Sequence, residues 1–235
     1  LKIPERIIRI AGFIPKGTIA ADIGTDHALL PVFLIQNGIC PKVIASDLYP
    51  GPLETAKANV LLFGLNALIE IRQGDGLQPL KPGEADVIVI AGMGGVKIKD
   101  ILAASPDVLK SARRLVLQPQ SAAGCLRRWL LENNWSLVDE DLVLEGGRFY
   151  VIIVAEPRPF DSSDAGSEDD QLLEIGPRLV EKRHPLLVPF LQEKMKNMES
   201  VLKALRYART PAAKKMRQEW KKKIDFIKGV IEDAG

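Results

Sequence analysis

The sequence predicts an α/β fold: a doubly wound, seven-stranded sheet followed by a C-terminal helical, coiled-coil-like hairpin. Three observations predict it. Five short apolar runs alternate with helix-period segments, the rhythm of βα units around a parallel sheet. Two further strand-like runs flank Glu145–Gly146–Gly147, a hairpin signal. Beyond residue 170, apolar residues step by three and four in two successive series. The expected organisation is a ligand-binding domain over 1–156, a linker over 157–170 and a basic helical tail over 171–235.

The elements follow in order. Residues 3–14 space Ile3, Ile7, Ile10, Ala11 and Ile14 as a helix, which Pro15–Lys16–Gly17 ends. Residues 18–21 form the first strand, and a helix starts near His27 and stops at Asn37–Gly38. Between them lies the turn Asp22, Gly24, Thr25, Asp26. It is not a dinucleotide fingerprint, because the positions for G-x-G-x-x-G hold Gly24, Asp26 and Leu29. Acidic side chains there oppose a pyrophosphate and suit a ligand with a cationic end, such as the ammonium and sulfonium of S-adenosylmethionine. A second reading is that Asp22 and Asp26 only cap the turn and helix, and that His27 is only a helix-end partner.

Val43–Asp47 is the second strand, ending in Asp47, 23 positions after Gly24. That spacing suits a carboxylate accepting both ribose hydroxyls of an adenosine-containing cofactor. Residues 50–63 read as a helix and 68–72 as the third strand, which leads to Gln73–Gly74–Asp75–Gly76. Asp75 stands where such folds read an adenine amino group; a plain turn is the other reading. The apolar fourth strand, 86–91, runs into Gly92–Met93–Gly94–Gly95, where the backbone must approach something closely. A helix over 96–104 ends before Pro106. The fifth strand, 114–117, ends in Gln118–Pro119–Gln120, whose amides either read a base edge or simply turn the chain. A helix over 121–133 turns Leu126, Trp129 and Leu130 inward, and strands over 135–144 and 148–155 complete the sheet. Five βα units with a terminal hairpin form the Rossmann-like layout of class I methyltransferases.

The tail seams are Leu187, Leu191, Met195, Met198, Leu202 and Leu205, and Met216, Trp220, Ile224, Ile227 and Ile231, facing each other across a turn near Thr210–Pro211. Residues 171–235 hold 15 basic and 8 acidic residues; residues 1–170 hold 17 and 22. A basic tail on an acidic body points to a polyanionic partner. The candidates for phosphate contact are Lys203, Arg206, Arg209, Lys214, Lys215, Arg217, Lys221, Lys222 and Lys223. No aromatics interleave with them, so base stacking is not expected. No apolar run reaches the ~18 residues of a membrane span. Cys40 and Cys125 lack metal-ligand spacing, so no metal is expected, and both are expected to be buried and inert in a reducing, cytoplasmic setting.

With DIGTDHALLP, AGMGG and LQPQ together, the chain resembles the bacterial tRNA (adenine-22-N1)-methyltransferase family, TrmK, over nearly its whole length. The resemblance implies S-adenosylmethionine as methyl donor, tRNA as acceptor and N1 of one adenine as target. It places the cofactor on Asp22, Gly24, Thr25, Asp26 and His27, on Asp47 and Leu48, on Asp75 and Gly76, and on Gly92, Met93 and Gly94. Asp26, His27, Met93 and Gln118 are expected to border the acceptor pocket. Gln120 departs from the family, which more often carries Asn there. No D/N-P-P-Y/F follows the fourth strand, the arrangement for methylating exocyclic amines. The expected assembly is a monomer or weak homodimer. The competing classes are a methyltransferase for a small molecule or protein and a non-catalytic binding module.

Overall fold

The apolar runs become seven strands in the computed structural model, which describes residues 3–159, 169–205 and 210–234. They are β1 (Ala20–Ile23), β2 (Val43–Asp47), β3 (Ile69–Gln73), β4 (Val87–Met93), β5 (Arg114–Pro119), β6 (Trp135–Glu145) and β7 (Arg148–Pro157). They form one sheet in the order β3-β2-β1-β4-β5-β7-β6. The first five are parallel, and β7 runs antiparallel between β5 and β6. The order reverses between β1 and β4. Connections leave in opposite directions there, opening a crevice at the carboxyl ends of the strands.

Both faces of the sheet are covered, which is why β1, β4 and β5 read as continuous apolar runs rather than alternating ones. Ile10 and Ala11 of α1 (Glu5–Gly12), Leu30 and Leu34 of α2 (Leu29–Gln36), and Ala56 and Val60 of α3 (Pro50–Leu62) share one core with Val43, Ala45, Val87, Val89 and Val116. The alternate strand residues, Ile44, Ile88, Ile90, Leu115 and Leu117, are equally buried. By the two-residue period they point the other way, toward α4 (Gly95–Ala103), α5 (Pro106–Ser111) and α6 (Ala123–Glu132).

Several expectations shift. The first strand starts at Ala20, because Thr18 bonds back to Pro15 O at 2.6 Å and Ile19 N–H is taken by Asp86 Oδ2 at 3.0 Å. Helix α2 starts at Leu29 rather than His27, because Asp26 and Ala28 are left-handed, at φ +49° and +55°. Helix α5 fills a stretch read only as a helix end. In α6 Trp129 is half-buried, and the fully buried neighbour is Arg127, whose Nε meets Glu140 Oε1 at 2.5 Å. A charged residue paired inside the core leaves no periodic signal. Cys40 is buried as expected, but Cys125 is exposed.

The chain divides into two units, Leu1–Ser167 and Glu168–Gly235. Most of the segment read as a linker lies outside the described residues. The second unit contains α7 (Asp170–Ile175), α8 (Pro177–Glu181), α9 (Leu187–Ala204) and α10 (Pro211–Ala234). Gly176, at φ +122°, breaks α7 from α8. Helices α9 and α10 pack together with Leu187, Leu191, Met198, Ile224 and Ile227 buried. Met216 is exposed, and Ala213 takes the buried place one turn earlier. The seam thus runs Ala213, Trp220, Ile224, Ile227, with Arg217 laid along it, its Nη1 donating to Leu205 O at 3.3 Å.

Candidate active site

The crevice is a cavity of about 510 Å³ above the carboxyl ends of β1 to β5. Its floor is the turn after β1. Gly24 and Thr25 both donate their N–H groups to Ser46 O, at 2.8 and 3.0 Å, which ties this turn to the end of β2. Gly24 sits at φ +78°. Two non-glycine departures follow at Asp26 and Ala28, either side of His27, a strained segment of the kind retained where a ligand is held. Asn59 of α3 supports it by donating to His27 O at 2.9 Å. His27 Nε2 lies 3.3 Å from Asp26 Oδ2, and both side chains are more than half exposed.

Asp22 is only 6% exposed. Burial pushes its carboxyl up to about 6; Thr25 opposes the rise, and the nearby Asp47 carboxylate adds to it. Asp47 accepts the Tyr49 N–H at 2.9 Å through Oδ1, which fixes the carboxylate at the cavity edge. Asp75 and Gly76 follow β3, and Lys97 Nζ approaches Asp75 to 3.9 Å. The loop that carries Asp75 is anchored from below. Arg72 donates to Pro79 O and to Glu84, both at 2.7 Å, and to Glu70 at 2.9 Å. Hydrogen bonding from Arg72 and Lys42 holds Glu70 down at about 2.

The register of β4 against β5 shifts between Ala91 and Met93. This bulge at Gly92 (φ +78°) re-aims Met93 over the floor. Gly92 N–H donates to Gln118 Oε1 at 3.2 Å. Gly94 does not line the cavity. It caps α4, while Gly95 donates to Ser121 O at 2.8 Å. A Cβ on Gly95 would lie 2.6 Å from Ala122 O.

The structure therefore gathers Asp22, Gly24, Thr25, Asp26, His27, Asp47, Leu48, Asp75, Gly76, Gly92, Met93 and Gln118 around one cavity and leaves Gly94 beside it. Sequence reasoning missed Arg6, Ser46, Tyr49 and Tyr150, which also line it. Ser46 and Tyr49 were within reach, flanking Asp47. Arg6 and Tyr150 carried no local signal; α1 and β7 bring them in. Two polar atoms here are buried and without a partner among the described residues: Ser46 Oγ and Gln118 Nε2. Buried donors and acceptors left open are costly unless a ligand satisfies them.

In the second unit, Lys203, Lys214, Arg217 and Lys221 line one groove of about 580 Å³ between α9 and α10. Lys215 instead approaches Glu219 at 3.9 Å, Lys223 approaches Glu174 at 3.3 Å, and Lys222 is exposed. Arg206 and Arg209 lie outside the described residues.

Comparison with known proteins gives this geometry its context. A family model described as tRNA (adenine(22)-N(1))-methyltransferase matches residues 20–229. A Bacillus subtilis protein of that same description is 36% identical over 233 residues, 99% of this chain and 98% of its own. The crystal structure of the B. subtilis TrmK tRNA methyltransferase superposes with a TM-score of 0.89 at 36% identity, covering 98% of this chain and 99% of its own. A Streptococcus pneumoniae protein solved in complex with S-adenosyl-L-methionine gives 0.84 at 32% identity, covering 97% and 99%. With both the family model and a full-length relative matching, the chain belongs to the TrmK family of tRNA (adenine(22)-N(1))-methyltransferases.

Proposed function

We propose that this protein transfers the methyl group of S-adenosylmethionine to N1 of adenine 22 in tRNA, with the residues gathered at the cavity in the roles that follow. The observation that carries the reading is the row of carboxylates, Asp22, Asp47 and Asp75, at the ends of three adjacent parallel strands around a glycine-floored cavity. The cavity fits the donor in size, in its acidic lining and in the open hydroxyl of Ser46. When bound, S-adenosylmethionine supplies an electrophilic methyl on a cationic sulfur.

Asp47 accepts the ribose hydroxyls, and Leu48 flanks the nucleoside. Asp75 and Gly76 border the adenine end. Asp22, Thr25 and the backbone of Gly24 hold the cationic amino-acid end, and the Gly92 and Met93 segment closes over it. Gly94 acts through the backbone, by starting α4 where it does. Asp26, His27, Met93 and Gln118 border the acceptor. Adenine N1 has its own lone pair, so these residues need only hold the base in line with the methyl, and catalysis is mostly positioning. Positive charge develops on the adenine ring, and the Asp26 carboxylate is placed to offset it. A base buried in the tRNA core must be extruded to reach the cavity. Lys203, Lys214, Arg217 and Lys221 in their groove, with Lys215, Lys222 and Lys223 elsewhere on α10, contact the tRNA phosphates. With tRNA as substrate, the protein works in the cytoplasm, as a monomer or weak homodimer, without a metal ion. No described helix is long and apolar enough to cross a membrane.

The test is nucleoside mass spectrometry after incubation with S-adenosylmethionine and unmodified bacterial tRNA. The expected product is 1-methyladenosine, mapped by fragmentation to position 22; a different methylated nucleoside, or none, overturns the reading. Asp47→Ala is expected to weaken cofactor binding on the order of 100-fold, as loss of two charge-assisted hydrogen bonds requires. Unchanged affinity by calorimetry would remove Asp47 from the ribose.

A further inference from the structure

The cavity has two unlike ends, and the strand order separates them. Asp22 and Asp47 lie on β1 and β2, and Asp75 follows β3, the next strand out. The other end is walled by Gln118 at β5 and Tyr150 on β7, with Arg6 of α1 beside them. Four aspartates line the cavity, the fourth being Asp26, and Arg6 is the only lysine or arginine among the described lining residues. An RNA strand delivering a base to this mouth is repelled by the carboxylates unless a cation meets its phosphates.

Arg6 is built to be that cation. Its guanidinium pairs with the Glu145 carboxylate through Nη1 and lies 5.2 Å from the centroid of the Tyr150 ring. Glu145 is also held by the Glu5 N–H at 2.7 Å. The Arg6 and Glu145 side chains are 36% and 24% exposed, so the pair is partly buried with one side open to solvent. Water reaches the pair on that side and screens it, so it holds less firmly than a fully buried pair. A guanidinium has five N–H donors in a planar fork, and a phosphate accepts two of them side by side. A phosphate can therefore take Arg6 from Glu145 while the stack on Tyr150 keeps it at the mouth.

We propose that Arg6 is a positioning residue that receives the phosphate next to the extruded acceptor nucleotide, held in readiness by Glu145 and the Tyr150 ring. This rests on the reading of the protein as a tRNA methyltransferase. Arg6 touches no reacting atom; it sets where the acceptor strand sits.

The experiment is steady-state methylation of unmodified tRNA by the full chain at several salt concentrations, for wild type, Arg6→Gln, Arg6→Lys and Glu145→Gln, with S-adenosylmethionine affinity measured alongside. Arg6→Gln is expected to raise KM for tRNA about tenfold, with kcat and cofactor affinity changed less than about threefold. The slope of log KM against log salt becomes shallower by about 0.7–0.9, the signature of one lost phosphate contact. Arg6→Lys restores the slope, and Glu145→Gln lowers KM by freeing the guanidinium. A clamp that only joins α1 to the β6–β7 hairpin predicts instead that Glu145→Gln and Arg6→Gln are impaired alike with the salt slope unchanged, and that result overturns the proposal. Absence of methylation by wild type is seen before any variant is compared; it overturns the functional reading, and the proposal with it.

Discussion

A side-chain carbon on Gly24 would lie 2.4 Å from the Cε of Met93. The turn after β1 and the bulge near the end of β4 are therefore in contact across the reversal point of the sheet, and the methionine covers a backbone that has no side chain. Met93 is flexible and its tip can move, and it lines the cavity, so any displacement alters the cavity wall.

Gly24→Ala therefore has two separable effects. The backbone at φ +78° strains any L residue, costing about 1–3 kcal/mol, seen as a fall in Tm of roughly 2–4 °C per kcal/mol. Displaced Met93 also weakens S-adenosylmethionine binding. Adding Met93→Ala is expected to recover part of the affinity and none of the Tm. Calorimetry and thermal melts on the single and double variants separate the two; full recovery of both would mean that the strain is absent.

The buried Asp22 carboxyl ionises near pH 6 rather than 3.8, and the consequence has opposite signs for folding and for binding. The native state holds the proton more tightly than the unfolded chain. This group's contribution to stability is therefore complete below about pH 4 and is lost as pH rises through about 6. A cationic ligand needs the ionised form, so cofactor affinity falls as pH drops below about 6. In Asp22→Asn both pH dependences are expected to flatten between pH 4 and 7. A wild-type affinity that stays constant from pH 7 to 5 would remove Asp22 from the cationic end.

Gly94 and Gly95 are adjacent but not equivalent. A Cβ on Gly94, where φ is −65°, meets only Ser121 Oγ, at 3.1 Å, which can rotate away. A Cβ on Gly95 meets the backbone oxygens of Ala122 and Ser121, at 2.6 and 2.7 Å, which cannot. Gly94→Ala is expected to keep Tm and cofactor affinity near wild type. Gly95→Ala is expected to destabilise by about 1–3 kcal/mol, as an overpacked core site does, and to displace the start of α4. Denaturant melts of the two variants check this, and equal losses would contradict it.

What the sequence by itself determined was the sheet and its acidic rim. Apolar runs and turn residues are local signals, so the strands, the hairpin at Gly146 and the aspartates at the strand ends were legible without coordinates. The turn 22–28 was legible as a site but not as a conformation, because the left-handed Ala28, a fully buried residue whose type disfavours that conformation, gives no local signal. The buried Arg127–Glu140 pair, the exposed Cys125 and the choice of Ala213 over Met216 for the tail seam depend on partners distant in sequence or on the rotation of a helix, which periodicity leaves free by a residue or more. Tertiary structure alone decided the acceptor end of the cavity. Arg6, Glu145 and Tyr150 are up to 144 positions apart, and only the docking of α1 against the β6–β7 hairpin gives their charge and ring a common place.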